Sequence, residues 1–356
     1  MNNIRLRSAG AVALIRALAL GMVACAGDNG ASQPSDDGST TTELPTGFEP
    51  QPLAEETKIV VNLAAMTEGF AIVLLANELG EFEKENITVE YAHAPAADAL
   101  QALATGQVDM TASGITASLF NAVQAGSELR AVMQLYAKDE SQGLYLRNEL
   151  ADAGPEALEG ATIASAVGAG GHAALAVNHY LEGGGLNVTD VEFQVLPSAD
   201  TPAALEAGAV DGAWILFPAG AQVEAAGFAK KVQGVYPDGF AGGAYLFGPR
   251  LLVQEPEIGQ AVIRAMARTS RDHLQGDYKE DETVLTAMVK ALDSTEEKVL
   301  LTPPLVFEAS PTFPLEPMSE LQDLWFLNGG LLQYPEDEAL DLDQIVDERF
   351  IKAVNE

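Results

Sequence analysis

The side chains of this chain that could do chemistry are few, and their types exclude more than they suggest. Its single cysteine, Cys25, lies near the amino terminus, and His179, seven residues after His172, makes no metal pair with it. His93 and His273 read as surface residues. Residues 168–171 are glycine-rich but lack the Gly-Lys-Ser of a phosphate-binding loop, and no Ser/His/Asp set or zinc pattern occurs. What remains is a set suited to holding a small molecule. It falls in four loops: Met66, Thr67, Glu68 and Phe70; Ser113, Gly114 and Thr116; Gly170, Gly171 and His172; Trp214 and Phe217. These offer hydroxyls, close-approaching amides, aromatic faces and one carboxylate, with no Lys or Arg. An anion there would rely on helix N-termini, worth about 0.3 to 1 kcal/mol each, and on hydroxyl and backbone hydrogen bonds. The aromatic residues tilt the reading towards a neutral or aromatic-bearing ligand, with Glu68 as the one group able to pair with an amine.

The elements that position these loops follow from an internal repeat. Residues 89–109 and 191–211 align without a gap at an offset of about 102 residues, sharing Val-Glu, Pro, Ala-Asp, Ala-Leu, Gly and Val-Asp. Within the first copy Val89 and Tyr91 alternate as a strand, Pro95 suits a first helical position, Ala96, Leu100, Leu103 and Ala104 share one helical face, and Gly106 stops the helix. Val108, Met110 and Ala112 begin a second strand, so each copy is a βαβ unit of a parallel sheet. Such sheets bind ligands at the carboxyl ends of their strands. The loop at Met66 follows a strand built on Ile59, Val60, Val61 and Leu63, and the glycine loop at 168–172 occupies the same place in the second copy. Thr116 is read as the cap of the helix carrying Leu119, Phe120 and Val123.

An acidic, Pro-containing stretch at 149–160 is taken as the first crossing between two lobes, and 244–247 as the return. Beyond it, 258–274, 283–292 and 318–332 have helical spacing. The expected fold class is α/β, two lobes, each a mainly parallel sheet flanked by helices and joined by two crossover strands: 57–148 with 245–356 as lobe 1, and 149–244 as lobe 2. Two lobes hinged this way open and shut on a ligand.

Nineteen Lys and Arg face 52 Asp and Glu, a formal charge of −33, which argues against nucleic acid as a partner. At 47% hydrophobic residues the chain is nonetheless globular. Residues 1–25 read as a signal peptide, with Arg5, Arg7 and Arg16 in or near a basic start and a short apolar run after it. Met22-Val23-Ala24-Cys25 is similar to a lipobox, which makes Cys25 a lipidation site and membrane anchor; Ala24-Cys25-Ala26 also fits an ordinary cleavage site. Residues 26–56, rich in Gly, Ser, Thr, Pro and acid, read as a disordered tether.

The run from Lys58 to Ala353 resembles the solute-binding proteins of ABC importers for nitrate, aliphatic sulfonates, taurine and thiamine-pyrimidine precursors. Leu79-Gly80-Glu81-Phe82, Ile87-Thr88-Val89-Glu90, residues 99–109, residues 158–164, Val210-Asp211-Gly212-Ala213 with Pro218, and the helix of residues 321–330 carry that likeness. The resemblance implies a periplasmic-binding-protein fold of type II, a small organic solute in the interlobe cleft touched by the four loops, delivery to a permease in the cytoplasmic membrane, an extracytoplasmic monomer, no enzyme activity and no cofactor or metal. Many relatives read Trp-Glu-Pro where this chain reads Leu216-Phe217-Pro218, which removes a carboxylate that would pair with an aminopyrimidine. A sensor lipoprotein without a transporter, or an enzyme like the pyrimidine synthase of this fold, are the alternatives; the synthase's cysteine-rich motif has no counterpart here.

Overall fold

Strand alternation divides the apolar residues between the two faces of each sheet, and helices cover both faces. The computed structural model describes residues 44–94, 96–138, 142–216, 219–233, 237, 239–240 and 242–356. The expected signal segment with Cys25, the first part of the expected tether, Pro95, Phe217 and Pro218 lie outside the described residues.

The first sheet runs in the order β2-β1-β3-β10-β4, from β1 (Thr57–Asn62), β2 (Ile87–Ala92), β3 (Met110–Gly114), β4 (Arg130–Gln134) and β10 (Gly243–Phe247). The second runs β7-β6-β8-β5-β9, from β5 (Gly143–Arg147), β6 (Thr162–Ser165), β7 (Glu192–Val195), β8 (Gly212–Ile215) and β9 (Ala229–Lys231). In the first sheet Ile59, Val61, Met110, Tyr245 and Phe247 enter one core, while Val60, Ala244 and Leu246 face another. In the second, Leu144, Leu146, Ile163 and Trp214 face one way and Tyr145, Ala164, Ala213 and Ile215 the other. This is the period-two pattern of strands buried on both faces.

The duplication holds in three dimensions. β1 pairs in parallel with β2 and β3, as β6 does with β7 and β8. The helix between is Ala96–Ala104 in one copy and Thr201–Glu206 in the other, ended by Gly106 at φ +70° and Gly208 at φ +68°. The matched aspartates do the same work. Asp109 Oδ2 accepts from the Val60 amide at 2.8 Å, and Asp211 Oδ2 from the Thr162 amide at 2.9 Å. Each aspartate's own amide donates back to the same residue's carbonyl, closing a two-bond clasp between parallel strands.

Two boundaries differ from the sequence expectation. β5 pairs antiparallel with β8 and β9, so the first crossing lies between Gln134 and Gly143, ahead of 149–160, and β5 belongs to the second lobe. The acidic stretch is instead a turn on that lobe's surface. The return crossing likewise precedes β10, which fills in the first sheet the antiparallel place that β5 fills in the second.

The tether also ends earlier than expected. Leu44, Phe48 and Leu53 pack against the core of the first lobe. The physical reason is a pair of buried guanidiniums on the helix Pro256–His273. Arg264 and Arg268 pair with Glu85 at 2.7 and 2.5 Å, Arg268 also with Glu81 at 2.9 Å, and their remaining donors need acceptors. The carbonyls of Gln51 and Phe48 accept from Arg264 Nη2 and Arg268 Nη1 at 3.1 and 3.0 Å, and the Glu81 carbonyl from Arg268 Nη2 at 3.1 Å, while Arg264 Nη1 has no partner. A buried donor left unpaired costs about 1 to 3 kcal/mol, more when charged, so residues 48–51 are held as part of the lobe.

Candidate functional site at the meeting of the two lobes

The carboxyl ends of β1 and β3 in one lobe and of β6 and β8 in the other border the place where the lobes touch. The helix Ala173–Glu182 follows the glycine loop of the second lobe, and His172 stands at its N-cap position. The helix Ala117–Gln124 follows β3, with Thr116 at its N-cap position. Thr116 makes no side-chain cap bond. Its extended backbone (φ −139°, ψ 156°) instead forms an antiparallel bridge to Gly171 across the cleft, a correction to the capping role expected of it.

His172 is the centre of this contact. Its ring sits over Gly114 at the end of β3 and Gly242 just before β10, both in the opposite lobe. A Cβ at Gly114 would lie 3.2 Å from Nδ1, and one at Gly242 would lie 2.3 Å from Cγ. Gly242 also has φ +78°, where a side chain is strained in any case. The two glycines therefore form a notch shaped by the absence of side chains. The His172 residue keeps some exposed surface, but Nε2 is enclosed, and burial pushes its pKa down to about 4, so the ring is neutral near pH 7.

Beyond His172 lies Trp214, edge-on at 6.3 Å between ring centroids and 90° between planes. Trp214 is buried in β8, and its indole N–H donates to Gln142 Oε1 at 3.1 Å. Gln142, on the first crossing, was not singled out in the sequence. Neither was Lys231, whose aliphatic stem lies across Gly143, close enough that a Cβ there would be 2.5 Å from Cε. Both arrive through strand pairing: β5 brings Gln142 and Gly143 to the end of β8 and beside β9. No periodicity or motif marks such a residue.

The lobes are also joined behind the notch. Trp325, on the helix Leu315–Asn328, donates its indole N–H to the carbonyl of Ala169 in the glycine loop at 3.0 Å and stacks edge-on against Phe120 at 5.1 Å. His179 on the helix Ala173–Glu182 meets Glu320 on the helix of Trp325 at 2.6 Å. Gly170 is part of this contact, with Leu331 nearby, and Gly171 has no room for a side chain because Val167 lies 2.3 Å from where a Cβ would stand.

The remaining sequence-predicted residues are distributed as follows. Ser113 is half-buried, with its hydroxyl donating to the Gly114 carbonyl at 3.1 Å. Met66 and Phe70 lean on the core of the first lobe, and Thr67 is exposed ahead of the short 3-10 turn Glu68–Phe70. Glu68 is not free for a ligand amine. Its carboxylate pairs with Lys279 at 2.8 Å and accepts from the hydroxyls of Tyr278 at 2.5 Å and Thr302 at 2.7 Å. Lys279 Nζ is buried and also donates to the carbonyls of Val299 and Thr302, so the pair is internal to the first lobe. Phe217 falls outside the described residues. What the structure brings together is thus Gly114, Thr116, Gly171, His172 and Trp214, with Gln142 added: a partly aromatic, hydrogen-bonding set, with the Lys231 side chain lying next to it over Gly143. Among the described residues no group of three His, Cys, Asp or Glu side chains could hold a metal ion, and no helix is long and apolar enough to cross a membrane.

A model of the family described as NMT1/THI5 like matches residues 67–273. No curated protein matches the chain. Among solved structures, the fold is similar to the alkanesulfonate-binding protein SsuA from Xanthomonas axonopodis pv. citri bound to MOPS, at 20% identity, 83% of this chain, 99% of that one and a TM-score of 0.58. It is similar to the periplasmic nitrate-binding protein NrtA from Synechocystis PCC 6803, at 16% identity, 85% of this chain, 89% of that one and a TM-score of 0.59. The desulfurization enzyme DszB shares the fold too, at 16% identity, 84% of this chain, 97% of that one and a TM-score of 0.54.

Proposed function

This chain belongs to the NMT1/THI5-like family, and on that premise we propose that it is the extracytoplasmic solute-binding protein of an ABC importer, capturing a small organic solute between its lobes and handing it to a membrane permease. The observation that carries this reading is the notch: His172 of one lobe seats between Gly114 and Gly242 of the other, beside the strand ends where an α/β sheet binds ligands. A ligand that touches both sides of such a contact shifts an open–closed equilibrium, whereas one held by a single lobe does not. In this reading lipid on Cys25 anchors a monomer that takes one solute per chain. The likeness to sulfonate- and nitrate-binding proteins supports a sulfonate-, nitrate- or heterocycle-like solute.

Turnover is the competing reading, raised by the fold shared with a desulfurization enzyme. The Ser113 hydroxyl donates to the Gly114 carbonyl and not to a base, which supports holding over reacting.

The test is a thermal-shift panel of hexane-1-sulfonate, MOPS, nitrate and aminopyrimidines. A ligand at 100 times its Kd stabilises the folded state by about 2.7 kcal/mol, so at least one member is expected to raise the melting temperature clearly. A flat panel contradicts the proposal, and conversion of a bound member to product would replace it with the enzymatic reading.

A further inference from the structure

Gln142 is buried, with 5% of its surface exposed, and its side-chain nitrogen has no hydrogen-bond partner in the structure. The orientation of the amide is not arbitrary. Indole N–H is a donor only, so the atom that accepts from Trp214 at 3.1 Å must be the oxygen, and the group left over must be the NH2. A buried amide donor without an acceptor is costly, and native proteins rarely keep one without a use.

Its position supplies the use. β5 is antiparallel to β8, with Gly143 opposite Ile215. The residue before β5 therefore stands at the carboxyl end of β8, on the cleft edge of the second lobe. The strand registers give its counterpart in the other lobe: Gly143 lies opposite Ile215 of β8 and Ala244 opposite the matching Ser113 of β3, so Gln142 corresponds to Gly243. Where the first lobe has a glycine, the second carries an amide whose oxygen is committed and whose nitrogen is not.

Building on the solute-binding reading, we propose that Gln142 is a ligand-binding residue whose NH2 group donates to an acceptor oxygen of the solute, with Trp214 as the positioning residue that fixes the amide. The ligand class this selects has an acceptor head, such as a sulfonate, carboxylate or nitro oxygen, in preference to an ammonium or amidinium group. A neutral donor suits a chain of net charge −33 that puts no basic residue into the predicted loops.

The test uses the full chain with hexane-1-sulfonate, nitrate and choline as probes, read by calorimetric titration, and the variants Gln142→Met, which keeps length without a donor, and Trp214→Phe, which frees the amide to turn. For the wild type, one or both anions are expected to bind and choline not to. Gln142→Met is expected to weaken the anion roughly tenfold or more, the equivalent of about 1.4 kcal/mol, with an unliganded melting temperature close to wild type. Trp214→Phe should weaken it less. Anion binding unchanged in a folded Gln142→Met overturns the assignment of Gln142 and leaves the solute-binding reading standing. Choline bound in preference to the anions overturns the ligand class. A wild type that binds no probe overturns both the reading and the inference that rests on it.

Discussion

The two copies of the repeat use the loop after their first strand in opposite ways. In the first lobe the loop 64–70 is turned inward: Glu68 is tied to Lys279, Tyr278 and Thr302 of the helical region that follows β10, and Met66 and Phe70 lean on the core. In the second, the equivalent loop is 168–172, glycine at three of five positions, and it reaches outward to lay His172 in the other lobe's notch. The ancestral loop position has become a rigid strut in one half and a contact surface in the other. The partners that hold Glu68 come from the helical region after β10, whereas the glycine loop leads into its own helix, Ala173–Glu182, and is met by Trp325 at Ala169. The difference teaches where to look for specificity: at groups facing the notch, not at the charged residue that sequence alone brings forward.

Removing the strut should do the most damage. Glu68→Ala leaves the Lys279 ammonium buried without its counter-charge, at a cost of about 3 to 5 kcal/mol. Urea unfolding of that variant should show the loss, and a near-neutral result would mean the ion pair does not brace the loop. Filling the notch comes next. Gly242→Ala combines a left-handed backbone with a Cβ 2.3 Å from the His172 ring. Strain and overpacking together should cost roughly 2 to 4 kcal/mol, or else part the lobes and weaken ligand binding.

The outward loop predicts a pH dependence. His172 has a folded pKa of about 4, below an unfolded value near 6.5, because burial penalises its charged form. Between those values the unfolded chain binds the proton and the folded chain does not. The contribution is therefore fully present above about pH 6.5 and declines as pH falls towards 4, by up to about 3 kcal/mol, less whatever its residual exposure screens. The difference in stability between wild type and His172→Phe, followed from pH 7 to 4.5, should shrink by that amount. A constant difference would place the ring in water.

The smallest effect tests the symmetry itself. Gly106 and Gly208 end matching helices at φ +70° and +68°. An alanine at either should cost about 1 to 2 kcal/mol. At Gly208 the Cβ would also meet Arg147 Nη1 at 2.9 Å, but that is the end of a flexible side chain. Unequal losses in the two variants would show that the copies no longer fold alike.

Much of this fold is legible in the chain because local and global signals agree. The repeat, its aspartates and its helix-ending glycines all recur at one offset, and the strand and helix periods carry through to the observed elements. What escaped reading depends on partners distant in sequence. The strand Gly143–Arg147 is plain from its own residues, but which sheet it joins is decided by β8, nearly 70 residues later. Residues 44–56 have the composition of a linker, yet are held by Arg264 and Arg268, whose spacing of four on an otherwise apolar helix face was the available hint. For the site, the loops after the strands were placed from the sequence, but the direction each side chain takes was not. Glu68 turned inward because a buried lysine required it, and Gln142, in a polar crossing with no pattern, became visible only through the bond to Trp214.

The most direct test of the central claim is native mass spectrometry of the intact protein titrated with hexane-1-sulfonate and with nitrate. The account predicts a single adduct per chain that saturates, is released unchanged on denaturation, and is weakened in Gly242→Ala and Gln142→Met. Unsaturable multiple adducts, or release of a chemically altered molecule, would contradict a binding protein that closes on one solute.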